Sequence, residues 1–309
     1  MDGSAHSLQT VRYASRILDP ERFEIVLLHI MTKVPESFID LEKIPVYKYR
    51  LVNVDAWEQQ QEKYIRDFME TAVGILSEAG FDGDAVTAGT VERKIGIARD
   101  IAAECGNGYK AVVIGRKGMS ELKDFMLGSI ANKIMELVPI PLWIVSGADR
   151  PGKILVCLDF SEGAMCAVNH LTQIVGSSGM CDVTLFHAVR TFHGFRKFVH
   201  DVFSLENEKK GLDKMGQECF VGEEMLQPAL DKAQACLLSA GIESSKICRK
   251  IVSCTANCAN AIIEEAEKGG YDTIVVGRRG ISHTEEFLMG RVSNKVVHLA
   301  KEKTVWVVS

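Results

Sequence analysis

Two glycine-rich segments of this 309-residue chain have the residue types and the spacing of a phosphate cradle. In the first, Gly115, Gly118 and Gly128 follow the pattern G-x2-G-x9-G, and Ser129 comes next. In the second, Gly277, Gly280 and Gly290 repeat the pattern, and Arg291 stands where the first has Ser129. An apolar run closing on Ile114 leads into Gly115. A strand that ends on Gly can turn tightly and bring its backbone close to a ligand. The third Gly opens a helix, because Ile130, Ile134 and Leu137 mark one apolar face at i, i+4, i+7. The N–H groups of a helix start, Ile130 among them, favour an anion, and Ser129 adds a hydroxyl donor. Two roles are open to Arg291: its guanidinium pairs with phosphate, or it fills the phosphate space.

The elements that must position these loops occur twice. VVIGRKGMSELKDFMLGSIANKIM at 112–135 aligns without a gap to IVVGRRGISHTEEFLMGRVSNKVV at 274–297. Upstream, EIVLLHIM at 24–31 parallels DVTLFHAV at 182–189, which sets His29 opposite His187, and DGSAHS at 2–7 parallels DFSEGA at 159–164. Short runs apolar on both faces read as buried parallel strands: Ile25–His29, Ala111–Ile114 and Leu142–Val145, then Ile154–Leu158, Val183–His187, Thr273–Val276 and Val305–Val308. Helical stretches lie between them, such as Trp57–Ala79 and Glu223–Ala240, each stopping at Ala-Gly. Alternating β and α elements predict two tandem Rossmann-like α/β domains, each an open parallel sheet with helices on both faces. Their expected bounds are residues 1–146 and 151–309, joined by the polar SGADRPGK stretch.

These motifs resemble the universal stress protein family. Its nucleotide-binding members carry G-x2-G-x9-G followed by Ser or Thr, and a first strand ending in Asp, which Asp2 and Asp159 match here. The resemblance covers nearly the whole chain, twice. It implies a five-stranded parallel sheet per domain and dimerisation through the last strand. It also implies ATP or AMP, with Mg²⁺ accompanying it, over the glycine loops of one domain or of neither. It does not imply catalysis.

The two repeats depart from the pattern in different ways. The second has Arg291 in place of the small hydroxyl residue. In the first, only Met1 precedes Asp2, whereas Lys153–Leu158 precede Asp159. The first domain is therefore expected to lack its first strand. Met1 is read as an internal methionine of a chain that starts upstream, with a truncated domain as the alternative.

Composition narrows the remaining classes. The chain is 47% apolar and 25% charged, with a net charge of −5, which suits a globular protein and gives no electrostatic reason to bind nucleic acid or an anionic membrane. No apolar run approaches the ~18 residues of a membrane span, and the N-terminus lacks the features of a signal peptide. Nine cysteines at irregular spacing read as buried free thiols in a reducing cytoplasm. Cys254 and Cys258 lack a second pair for a zinc site. Arg116, Lys117, Arg278 and Arg279 either lie near phosphate or are solvated loop charges, the latter being the simpler reading. His29 and His187 read as structural histidines. The aromatic and basic segment Thr191–Phe220 reads as a helical excursion, since its acidic residues offset its charge. No nucleophile or metalloprotease signature is present, although slow ATP hydrolysis at a nucleotide site needs none.

Two last runs, Leu142–Val145 and Val305–Val308, each carry a central Trp. Such apolar edges invite pairing, and an antiparallel intramolecular pair is expected. Free edges that build a homo-oligomer are the alternative. The leading reading is a cytoplasmic stress-response protein that binds an adenine nucleotide and acts as sensor or adaptor. A nucleotide-independent tandem scaffold and an enzyme of a related nucleotide-binding family stand beside it.

Overall fold

A computed structural model describes residues 1–32, 54–118, 127–147, 152–159, 161–176, 181–190, 227–254, 257–280 and 289–309. The Thr191–Phe220 segment lies outside the described residues. The chain divides into two compact units. The first comprises Met1–Ile140 and Val145–Asp149; the second comprises Pro141–Ile144 and Arg150–Ser309.

The first unit begins with the turn that carries Asp2. Ser4 caps helix α1 (Ala5–Ile17) by accepting the Ser7 N–H at 3.2 Å, which satisfies one of the donors a helix start leaves over. Strand β1 (Ile25–Met31) follows, then helix α2 (Val54–Glu78). Helix α2 stops at Gly80, whose φ of +98° favours glycine, and Phe81 N–H returns to Leu76 O at 3.1 Å. Strand β2 (Val86–Glu92) pairs parallel with β1, from Ile25↔Val86 to Met31↔Glu92. Helix α3 (Ile97–Glu104), strand β3 (Val112–Gly115), helix α4 (Ser129–Leu137) and strand β4 (Leu142–Val145) complete the repeat. Val11, Leu27, Met69, Ala72, Leu76 and Phe81 form the core shared by α1, β1 and α2.

The second unit holds strand β5 (Lys153–Cys157), helix α5 (Glu162–Val175), strand β6 (Asp182–Arg190), a helix α6 described over 227–239, strand β7 (Ile247–Cys254), helix α7 (Cys258–Lys268), strand β8 (Thr273–Gly277), helix α8 (Arg291–Leu299) and strand β9 (Thr304–Val308). The strand order is β9-β8-β5-β6-β7, all parallel. This is the five-stranded Rossmann-like sheet expected for each repeat. Its centre is apolar on both faces: Ile154, Leu155, Val156, Val183, Leu185 and Val275 are fully buried. Residues Leu142–Ile144 add to the free edge of β9 in antiparallel register, Leu142↔Val307, Trp143↔Trp306 and Ile144↔Val305. The two indoles stack 4.0 Å apart and nearly parallel.

Strands β2 and β7 were not among the expected runs. They are edge strands, and their polar, half-exposed pattern hides them from a search for runs apolar on both faces. Of the described cysteines, Cys105 and Cys181 are buried, but Cys248 is exposed on β7, so the buried-thiol reading does not extend to it.

Candidate functional site

In the first unit the carboxyl end of β3 and the start of α4 meet over the turn at Asp2. Gly128 N–H donates to Arg116 O at 2.9 Å, which closes the glycine loop at its base. Gly128 is the N-cap of α4, and no side chain caps that helix start. The N–H groups of Ser129, Ile130 and Ala131 therefore lie in the first turn, where a helix offers donors without intrahelical acceptors. Ser129 and Ile130 are exposed there.

The loop glycines are set by close approach. A Cβ on Gly118 would stand 2.6 Å from Asp2 Oδ2, and one on Gly128 3.2 Å from Arg116 O. On Gly115 it would meet Lys117 O at 3.2 Å and Thr10 Oγ1 at 3.3 Å. Asp2, Ile114, Gly115, Gly118, Gly128, Ser129 and Ile130 all line one cavity of about 1070 Å³. Its size reaches the upper end of ordinary small-molecule sites, ~300–1,000 Å³.

Asp2 is held in a fixed pose. Its Oδ1 accepts Ser4 N–H at 3.0 Å, Ser4 Oγ–H at 2.6 Å and Ser7 Oγ–H at 2.5 Å. Burial pushes the Asp2 pKa upward, but the bonds from Ser4 and Ser7 and the nearby Met1 ammonium outweigh it and hold the carboxyl below its usual range. Ser7 and Thr10 also line the cavity. Sequence reading did not single them out, although the DGSAHS–DFSEGA match pointed at this turn. His29 Nδ1 donates to Met1 O at 2.7 Å, and His187 Nδ1 donates to Leu158 O at 2.6 Å. Both histidines thus pin the backbone just before the repeat's Asp, a structural role. Burial lowers the His29 pKa, so the ring is neutral at pH 7.

The loop arginines differ from the simpler expectation. Arg116 is 2% exposed and Arg278 7% exposed, so neither is a solvated loop charge; Lys117 is half-buried and Arg279 exposed. The strand end turns alternate residues inward, and the first Arg of each loop follows the strand into the fold. Burial lowers the Arg116 pKa to about 10, which still leaves the guanidinium charged at neutral pH.

The second unit repeats the frame with altered detail. Asp159 Oδ1 accepts Ser161 N–H at 2.9 Å and the Ser161 hydroxyl, and a Cβ on Gly280 would stand 2.8 Å from Asp159 Oδ2. Gly290 N–H donates to Arg278 O at 2.8 Å. Here Gly163 occupies the position of His6. A Cβ on Gly163 would lie 2.3 Å from Arg279 O, and one on Gly277 2.6 Å from the Gly163 carbonyl. The first turn of α5 thus presses backbone to backbone on this loop. Ser293 Oγ–H closes onto Gly277 O at 2.7 Å, and Arg291 is exposed at the start of α8.

Among the described residues, no group of three or more His, Cys, Asp or Glu side chains gathers as a metal site, and no helix is long and apolar enough to cross a membrane. Two Rossmann-like repeats, each with a G-x2-G-x9-G loop facing a hydrogen-bonded Asp, define a class of tandem α/β proteins. The chain belongs to the universal stress protein family, whose model matches residues 1–146 and again 151–309. Among solved structures, a universal stress protein from Archaeoglobus fulgidus aligns over 99% of this chain and 95% of its own, at 18% identity and a TM-score of 0.54. The functionally unknown protein PA1789 from Pseudomonas aeruginosa aligns over 98% and 94%, at 14% identity and a TM-score of 0.50. A universal stress protein in complex with cAMP aligns over 51% of this chain and 96% of its own, at 20% identity and a TM-score of 0.32. No curated protein matches the chain.

Proposed function

We propose that the first repeat binds an adenine nucleotide, ATP or AMP, and that the chain serves stress response as a sensor or adaptor rather than as an enzyme. One observation carries this reading: the seven residues singled out in the first repeat line a single cavity of nucleotide size. The N–H groups of Ser129, Ile130 and Ala131 and the Ser129 hydroxyl suit phosphate oxygens. A carboxylate repels phosphate, so Asp2 suits a hydroxyl or amino donor of the nucleoside. The apolar wall, with Ile30 and Ile134, suits the base. Any Mg²⁺ would arrive on the phosphates. In the second repeat Asp159, Gly277, Gly280, Gly290 and the exposed Arg291 form a lesser candidate, because its loop is packed backbone to backbone.

Native mass spectrometry of the purified protein, with calorimetric titration of ATP and AMP, tests the assignment. Retained or added nucleotide should bind, and Gly128→Val should abolish binding in a folded protein. Unchanged affinity in that variant would show the site to be wrong.

A second reading, a nucleotide-independent tandem scaffold with domains at 1–146 and 151–309, draws on a different observation. Residues Leu142–Ile144 pair antiparallel with Val305–Val307 and cover the edge of β9 with backbone and apolar side chains. A clean apo protein that ignores ATP and AMP would favour it.

A further inference from the structure

Helix α2 supplies one wall of the cavity that holds the glycine loop. Trp57, Gln61, Tyr64 and Ile65 fall at i, i+4, i+7 and i+8, one face of the helix, and all four line that cavity. Two aromatic rings on this wall stay open to solvent, Trp57 at 45% exposure and Tyr64 at 47%. The chain has three tryptophans, and the other two, Trp143 and Trp306, are buried. An indole left in water at the side of a cavity has a flat apolar face to offer.

The two rings are not equivalent. Tyr64 is tied to the turn at Asp2: its hydroxyl donates to Gly3 O at 2.9 Å, and a Cβ on Gly3 would stand 2.8 Å from its ring. Trp57 lies seven residues earlier, ~10 Å along the helix at 1.5 Å per residue. It also borders a narrow cleft with Met31 and Thr32, at the carboxyl end of β1. The Asp2 turn thus stands between the glycine loop, where Gly118 approaches its carboxylate, and the α2 wall, where Tyr64 packs on Gly3. Charge divides the cavity the same way. The loop side has the N–H groups of the α4 start with Arg116 and Lys117, while the α2 side has two carboxylates, Glu62 and Glu70, against the one guanidinium of Arg66. Phosphate is drawn to the loop side, which leaves the uncharged end of a nucleotide, its base, to α2.

We propose that the Trp57 indole is the stacking platform for the base, an inference that rests on nucleotide binding by the first repeat. Stacking reads no hydrogen-bonding edge, because every base has a π-face. Trp57 therefore demands an aromatic base on the ligand and favours the larger ring of a purine, which covers more of the indole. A ligand made of phosphates alone gains nothing from it. Tyr64 acts differently, by fixing the Asp2 turn.

Trp57 is its own reporter, since the buried Trp143 and Trp306 are shielded from a neutral quencher such as acrylamide. ATP should quench the emission of the whole chain and protect it from acrylamide, whereas inorganic tripolyphosphate should do neither. By calorimetry, Trp57→Ala should weaken ATP binding roughly tenfold or more, and Trp57→Phe, which keeps a stacking ring, should stay within about threefold of the parent. Tripolyphosphate should bind all three proteins alike. Alanine favours a helix, so unfolding of α2 does not account for the loss. Equal ATP affinity in the parent and in Trp57→Ala would overturn the platform while the nucleotide site stands. A parent that binds neither ATP nor AMP would overturn both.

Discussion

The indole N–H of Trp143 donates to His170 Nε2 at 3.0 Å, beneath two stacked tryptophans. His170 meets both rings edge-on, at 5.8 and 5.7 Å between centroids. The bond requires an unprotonated Nε2, and burial lowers the His170 pKa to about 4. The unfolded value is ~6.5. Between these values the unfolded state binds the proton that the folded state refuses, so stability rises with pH. It is full above about pH 6.5 and is lost as pH falls toward 4. The loss amounts to roughly 3 kcal/mol at most, at ~1.36 kcal/mol per unit. Urea denaturation from pH 7 to pH 4.5 should show this slope, and His170→Gln should flatten it. A slope unchanged by that substitution would assign the acid sensitivity elsewhere.

Gly118→Ala and Gly280→Ala form a matched pair. Each added Cβ would lie under 3 Å from an Asp carboxylate oxygen, 2.6 Å at Asp2 and 2.8 Å at Asp159. Each Asp must shift, and its bonds to the neighbouring serines must stretch. If the first repeat is the nucleotide site, Gly118→Ala should weaken ATP binding by about tenfold or more, ~1.4 kcal/mol. Gly280→Ala should leave the affinity within twofold of the parent, a margin of about 0.4 kcal/mol. Calorimetry on both variants gives the comparison, and the reverse ranking would move the site to the second repeat.

Asp2 also ties the site to the fold, since the serines that bond its carboxylate start α1. Its pKa is held below the ordinary carboxylate value by those bonds, against the opposing push of burial. A depressed carboxylate contributes stability above its unfolded pKa, and that contribution fades as pH falls below about 4. Asp2→Asn should cost the first unit about 1.5–3 kcal/mol at pH 7, a typical loss for bonds to a charged acceptor. The difference should shrink below about pH 4. A constant difference down to pH 3 would show that the carboxylate charge is not what matters.

Strands buried in the sheet were legible because β5, β8 and β9 are apolar on both faces, and the glycine spacing was legible because the repeat states it twice. The edge strands were not. β7 contains Arg249, which pairs at the surface with Asp231 at 2.7 Å, and Lys250, which reaches the buried Glu265 at 2.8 Å. Such residues look like loop until the neighbouring helices are in place. The burial of Arg116 beside the half-buried Lys117 was equally hidden, because adjacent cations look alike in a polar loop. What separates them is the direction in which the strand end turns. The geometry of Asp2 was half legible: the match to Asp159 was plain, but the serine bonds that fix the carboxylate need the helix start in three dimensions.

The antiparallel ladder between β4 and β9 yields a directional prediction. Arg278 N–H bonds Val308 O at 2.5 Å, so on β9 residues 304, 306 and 308 turn their backbone groups to β8. Val305 and Val307 turn theirs to β4. On β4, Val145 turns its carbonyl to Arg116 N–H at 2.9 Å, so Ile144, one residue earlier, turns to β9. Ile144 lies opposite Val305, and its N–H donates into that ladder. Ile144→Pro removes the donor and leaves the Val305 carbonyl buried without it. The cost should be about 2–4 kcal/mol, one lost bond together with the desolvation of its orphaned partner. Ile144→Val keeps the N–H and deletes one methylene, so it should cost only about 0.5–1.5 kcal/mol. The freed edge of β9, with Trp306 at its centre, should then seek another strand. Light scattering should show the proline variant associating with rising concentration, while the valine variant stays like the parent. Equal stability loss in the two variants, with no association in either, would mean that β4 contributes apolar cover but no ladder.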